Sequence, residues 1–174
     1  MAVLRARTLV VDPPWAFGDR LPGAGRGAAT QYDVLDVADI AIAYDVRDLA
    51  LPDSRLFLWR VASMQEDALW LMRQWGFELK AEVVWLKTTK TGKPWFGMGH
   101  QVRNSHEVCL IGVRGRPRRK SASVRSVFTA PYTRHSQKPE AFYDLVEELS
   151  PGPYLELFAR ERREGWRSLG KELR

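Results

Sequence analysis

The sequence predicts an α/β protein built on a mostly parallel sheet, and three observations carry that prediction. Short β-branched and apolar runs recur along the chain, beginning with Thr8-Leu9-Val10-Val11. Segments with helical periodicity alternate with them. The first run has no polar break, as expected of a strand covered on both faces, which is the habit of parallel sheets.

Taken in order, Met1 to Arg7 is a short basic lead-in, and the first strand comes next. Phe17 to Thr30 is rich in glycine, with Gly23, Gly25 and Gly27 alternating. The spacing is not G-x-G-x-x-G and no helix opens there, so this reads as a surface loop rather than a dinucleotide fingerprint. Arg20 and Arg26 within it are placed to meet phosphate, although a plain connection explains the stretch equally well. Val37 to Asp48 reads as a helix and Arg55 to Arg60 as a second strand. Ser63, with Glu66 three residues on, reads as a capping box for a helix ending at Gly76. Leu69, Trp70, Met72 and Trp75 on that helix are read as core.

Phe77 to Lys87 is a third strand. The loop Thr88 to Gly99 sets Lys87, Lys90 and Lys93 beside Trp95 and Phe96, a mixture that suits nucleic acid or a solvated hairpin tip. Glu107 to Val113 is a further strand. A basic run, Arg114 to Lys120 with Arg125 nearby, is expected to touch phosphate beside the site, or else to be a solvated face. Ser136 or Gln137 is expected near the cap of a helix with Pro139 in its first turn; Phe142, Leu145, Val146 and Leu149 turn inward. Pro153 to Ala159 is the last clear strand.

A chain of 174 residues is expected to form one domain, 1–174, with room for a substantial core. No apolar run approaches the ~20 residues of a membrane span, and no signal-peptide stretch opens the chain. The single cysteine, Cys109, excludes an internal disulfide and reads as a small core residue. A cytoplasmic location is therefore expected. The net charge of +6 favours an anionic partner such as nucleic acid, although a generally basic proteome would give the same balance. His100, His106 and His135 are scattered, and no spacing suggests a metal site.

The chemistry concentrates at Asp12-Pro13-Pro14-Trp15. Two prolines stop the first strand and stiffen the backbone beyond it. An acid at the carboxyl end of such a strand lies where open α/β sheets bind ligands. A rigid carboxylate, the Pro13 carbonyl and a flat indole suit methylation of an exocyclic amine. The adenine N6 lone pair is delocalised into the ring. Asp12 and the Pro13 carbonyl would accept its two hydrogens and free the lone pair, while Trp15 stacks on the base, worth ~1–3 kcal/mol. A strand-ending turn with a core Trp fits these four residues equally well.

Further pieces bear on that choice. They are Gln31-Tyr32, Leu56-Phe57-Leu58-Trp59, Gly97-Met98-Gly99-His100 through Arg103-Asn104, and Glu107 to Gly115. His135-Ser136-Gln137-Lys138-Pro139, Leu149-Ser150-Pro151-Gly152, Leu155 to Arg160, and Gly165-Trp166 with Leu169-Gly170 complete them. With Asp12 to Trp15, this ordered set resembles the MT-A70 family of S-adenosylmethionine-dependent N6-adenine methyltransferases, and it spans nearly the whole chain.

The resemblance implies a Rossmann-like methyltransferase fold, with helices on both faces and the catalytic motif ahead of the cofactor-binding segment. It implies S-adenosylmethionine as cofactor. Asp12, Pro13, Pro14 and Trp15 would hold the target amine. Asp12, Lys138, Glu156, Phe158 and Arg160 would meet the cofactor, Lys138 at its methionine carboxylate and Glu156 at its ribose. Tyr32, Asn104, Glu107, Arg114 and Arg118 would lie on the substrate side. The chain departs from the family's tail at Gly170-Lys171, where Gly-Asn is frequent. The compact chain is most similar to bacterial or phage members, which points to DNA ahead of RNA, with a homo- or heterodimer allowed. Two other readings stay open: a catalytically silent nucleic-acid-binding subunit, and methylation of a protein glutamine, for which Asn would be usual in place of Asp12.

Overall fold

The computed structural model describes residues 5–16, 35–99, 101–134, 137–171 and 173. Seven strands form one sheet: β1 (Ala6–Val11), β2 (Ala50–Arg60), β3 (Glu78–Thr88), β4 (His106–Arg114), β5 (Val127–Pro131), β6 (Tyr154–Leu157) and β7 (Trp166–Leu169). Their order across the sheet is β5-β3-β4-β2-β1-β6-β7. Parallel pairing joins β2, β1, β6 and β7, and also β3 with β5, whereas β4 runs against both of its neighbours. The expected mostly parallel sheet is therefore present, with β4 as its reversed strand.

Alternation along β1 explains the two cores. Leu9 and Val11 face α1 (Val37–Ala43), α2 (Val46–Leu49) and α3 (Gln65–Gln74), where Ile40, Val46, Leu71 and Met72 are buried. Val10, with Phe57 and Trp59 of β2, faces α4 (Glu140–Leu149) through Phe142 and Val146. Each of these fully buried side chains contributes ~1.5–3 kcal/mol of transfer free energy. Helices thus cover both faces. Cys109 is buried in the second core. None of the described helices is long and apolar enough to cross a membrane.

Several local expectations need correction. The segment expected as one helix from Val37 to Asp48 is two, because Asp36 and Asp45 each cap a separate start by accepting a backbone N–H. Ser63 does not cap α3; it lies in a 3₁₀ turn, Ala62–Met64, ahead of the helix. Trp70 is partly exposed, and Leu71 takes the core position beside Met72 and Trp75. The cap of α4 is Pro139, with no side-chain hydrogen bond, and Ser136 lies outside the described residues. β5 and β7, five and four residues long, are too short to announce themselves in sequence by a period-two pattern. They are edge strands, where one neighbour suffices.

Candidate active site

The carboxyl ends of the parallel strands converge on Asp12. β1 delivers it directly after Val11, and the turn beyond is braced by the backbone: Trp15 N–H donates to the Pro13 carbonyl at 2.9 Å, and Leu35 N–H to the Pro14 carbonyl at 2.9 Å. Lys138, just ahead of α4, donates to Asp12 Oδ2 at 2.7 Å. Because β4 is reversed, its first residues meet the carboxyl ends of its neighbours, so Glu107 joins the group 3.3 Å from the Lys138 ammonium. Lys87, near the end of β3, closes the chain of charges at 2.5 Å from Glu107. The result is an alternating row, Asp12–Lys138–Glu107–Lys87.

Burial makes this row matter. The Lys138 side chain is 8% exposed, against 24% for Asp12 and 30% for Glu107. Its ammonium also lies 4.8 Å from the centre of the Trp59 ring. Burial alone would lower the Lys138 pKa, but the carboxylates of Asp12 and Glu107 reverse this and raise it. Burial would likewise raise Glu107, and the ammonium groups of Lys138 and Lys87 instead bring it down to about 2. Lys87 is further held between rings, 5.0 Å from that of Trp85 and 5.1 Å from that of Tyr132.

On the other side of Asp12, β6 supplies a second acid. Glu156 is buried and accepts a hydrogen bond from the Tyr143 hydroxyl at 2.8 Å. Burial raises its pKa; the Tyr143 hydrogen bond opposes this, and the charge of Asp12 adds to it. Arg163 stacks on the Tyr143 ring and pairs with Glu140. One residue past β6, Phe158 has φ +59°, a left-handed conformation that a bulky side chain rarely adopts. Its ring packs edge-on against Tyr44 at 5.0 Å. Arg160 follows, half-buried.

The structure redraws several expected roles. Trp15 is 3% exposed, and its indole N–H donates to the Trp59 carbonyl at 3.1 Å, so its ring packs in the core and is not open to stack on a base. The Pro13 carbonyl already accepts the Trp15 N–H, leaving one lone pair where the sequence reading gave it wholly to an amine. Lys138 is already engaged by Asp12 and Glu107, so it is not an isolated cation. Asn104 ties its own loop, donating to the Met98 carbonyl at 2.9 Å. In that loop a Cβ on Gly97 would stand 2.2 Å from the Asn104 carbonyl oxygen, which is why glycine is required there.

Arg114 and Arg118 do not lie beside Asp12. Arg114 closes β4 opposite Ser54 and donates to the Arg47 carbonyl, at the amino ends of the parallel strands. It lies seven residue steps along β4 from Glu107, about 24 Å at ~3.4 Å per residue. Tyr32, the glycine-rich loop with Arg20 and Arg26, His100 and His135 lie outside the described residues. Sequence reasoning passed over Trp59 and Tyr143, and it read Lys87 as a loop contact to nucleic acid rather than as the partner of Glu107. The signal for Lys87 was present: with Val83 and Trp85 it forms a period-two series on one face of β3.

The model of the MT-A70 family matches residues 7–172, almost the whole chain and all the elements just described. The chain belongs to the MT-A70 family. MT-A70 relatives include a putative N(6)-adenosine-methyltransferase MT-A70-like protein of Medicago truncatula, 30% identical over 174 residues, which are 95% of this chain and 26% of the relative. The N(6)-adenosine-methyltransferase catalytic subunit METTL3 of Homo sapiens is 31% identical over 95% of this chain and 28% of its own length. The N6-methyladenosine RNA methyltransferase MTA1 of Cryphonectria parasitica is 30% identical over 95% of this chain and 51% of its own. This chain spans about a quarter of the length of the plant relatives it matches. These relatives are plant, animal and fungal, so they lend no support to the expected bacterial or phage type.

Proposed function

We propose that this chain transfers a methyl group from S-adenosylmethionine to the N6 amine of adenine in nucleic acid, and in RNA ahead of DNA. The observation that carries the reading is Asp12, presented at a strand's carboxyl end and held there by the buried Lys138, in a chain of the MT-A70 family. The preference for RNA rests on the relatives' names, adenosine and RNA methyltransferases, and replaces the DNA preference drawn from sequence.

Lys138 fixes one oxygen of the Asp12 carboxylate, and the carboxylate keeps acceptor capacity for an amine hydrogen. Drawing on that hydrogen localises the nitrogen lone pair for attack. Glu107 bears on the same ammonium and so sets how firmly Lys138 grips Asp12. The donor set fits the cofactor: Glu156 is a buried acceptor for ribose hydroxyls, and Lys138 a cation for a carboxylate, both within the field of Asp12. Bound there, S-adenosylmethionine supplies an electrophilic methyl group. Its carboxylate would compete with Asp12 for Lys138, so cofactor entry and release of the catalytic acid are coupled in this reading. A base inside a duplex must first be flipped out, at a few kcal/mol, which favours single strands.

METTL3 is named a catalytic subunit, and a partner chain is part of the proposal. The test incubates the purified chain, alone and with candidate partners, with labelled S-adenosylmethionine and adenine-containing RNA or DNA oligonucleotides. Label on adenine N6, lost in Asp12→Asn, is the expected result. Label on protein glutamine, or none under any condition, overturns it. The silent-subunit reading gains no support from the intact Asp12-Lys138 pair.

A further inference from the structure

The amino edge of the sheet, opposite Asp12, carries a charge pattern the proposed chemistry does not use. Six cations, Arg114 at the end of β4 and Arg116, Arg118, Arg119, Lys120 and Arg125 between β4 and β5, fall in one segment. Among the described residues none of them forms an ion pair. Acids are at hand, but neutral donors hold them. Asp53 accepts the Arg116 backbone N–H at 2.7 Å, Glu148 accepts the Ser121 hydroxyl at 3.0 Å, and Glu147 accepts the Trp166 indole N–H at 2.7 Å.

The segment is also pinned, so these cations project from a fixed backbone. Gly115, at φ +64°, passes so close to Asp53 that a Cβ would stand 2.3 Å from its carboxylate. Lys120 N–H donates to the Leu149 carbonyl at 2.9 Å, and its ammonium to the Glu147 carbonyl at 2.6 Å, at the end of α4. Between these points Arg55, 6% exposed, reaches from β2 to the carbonyls of Pro117 and Arg118 and to Ser150 Oγ at 2.8 Å. Among the described residues no carboxylate pairs with Arg55, and a buried cation is ordinarily paired with an acid. A cluster of cations without ion-pair partners, carried on a pinned backbone, is suited to a polyanion whose phosphates are spaced along a chain.

We propose that the segment from Arg114 to Arg125 binds the sugar-phosphate backbone of the nucleic acid substrate at a point remote from the target base. The inference rests on the nucleic-acid reading above and adds a second contact to it. About 24 Å of β4 lies between the two ends, roughly seven nucleotides at ~3.4 Å each along a stacked strand. That is some three times the ~8 Å Debye length of physiological salt, so charge changes at this edge leave the electrostatics at Asp12 unaltered.

The test replaces three exposed arginines together, Arg116→Gln, Arg119→Gln and Arg125→Gln, in the full chain. Binding of a single-stranded RNA of about 30 nucleotides is followed by fluorescence anisotropy across a salt series, with DNA of the same sequence as a second arm. The slope of log affinity against log salt should fall by about 2, since each phosphate contact on a single strand contributes ~0.7. Affinity near 0.15 M salt should drop on the order of tenfold, with KM for the long RNA rising and kcat unchanged. An RNA of about five nucleotides, too short to span both sites, should show no change. The matching Arg→Lys triple should keep most of the slope. An unchanged slope in the Gln triple overturns the proposal, as does an equal loss in the Lys triple, which would mark a structural effect. Absence of methyl transfer by the unsubstituted chain, with the slope change intact, would instead remove the proposed function and leave the phosphate contact standing.

Discussion

The two ends of this sheet carry opposite electrostatic designs. At the carboxyl end, four charges alternate in sign from Asp12 through Lys138 and Glu107 to Lys87, largely shielded from water and mutually compensated. At the amino end, cations crowd one segment, the nearby acids accept from neutral donors, and among the described residues even the buried Arg55 pairs with no carboxylate. Compensation in a poorly solvated place holds a reactive group in one geometry and resists salt. Excess charge on an exposed edge attracts a polyanion from a distance and yields to salt. The fold thus separates positioning from capture by the length of one strand.

The difference breaks most sharply at Asp12. Asp12→Asn should lower methyl transfer by about 10²- to 10⁴-fold, the range for a positioned acid–base group, with a smaller loss of stability than Lys138→Met because Lys138 keeps Glu107 as a partner. Single-turnover kinetics check it; a loss below tenfold would remove Asp12 from the chemistry. Next is Lys138→Met, which strips the shared cation from two neighbouring carboxylates. Breaking a buried pair this way should cost about 3 kcal/mol by denaturant titration, and activity should fall with it. The double variant Lys138→Met with Glu107→Gln should recover part of that stability, since the repulsion is then gone.

pH sharpens the same contrast. The Glu107 pKa is depressed to about 2 from an ordinary 4.5, so its contribution to stability is complete above pH 4.5 and disappears as pH falls through 2. The Lys138 pKa is raised, so its contribution is complete below 10.5 and is lost only at more alkaline pH. Lys87→Gln should therefore move the acid limb of the stability profile upwards in pH and leave the alkaline limb in place. The smallest effect belongs to the amino end. Arg55→Leu removes a guanidinium hydrogen bond to Ser150 but leaves Ser150 bonded to Thr8 at 2.6 Å, and should cost only about 1–2 kcal/mol. A loss matching that of Lys138→Met would show that both ends are built alike.

The elements that were legible in sequence share one property: they are long and buried. β1, β2 and β4 are mostly buried, and α3, α4 and the second half of β3 each turn one face to a core, which gives them period-two or helical patterns. β5 and β7, at the sheet edges, carry little pattern and were missed. Asp12, Lys138, Glu107 and Glu156 were legible as a set through the ordered motifs. Their pairing was not, because Lys138 lies 126 residues from Asp12. Trp15 shows the opposite error. An aromatic beside a catalytic acid invites a stacking role, yet the turn at Pro13 points its indole N–H at the Trp59 carbonyl and its ring into the core.

By itself the sequence determined an α/β sheet with an acid set rigidly at the end of its first strand, since both follow from local patterning and from the fixed φ of proline. Only the tertiary structure decided which charges meet that acid and which stand apart from it. The reason is the direction of β4. A residue's position along a strand is local, but whether the strand runs with or against its neighbours is settled by long-range pairing. That reversal alone brings Glu107 to Asp12 and carries Arg114 to the far edge.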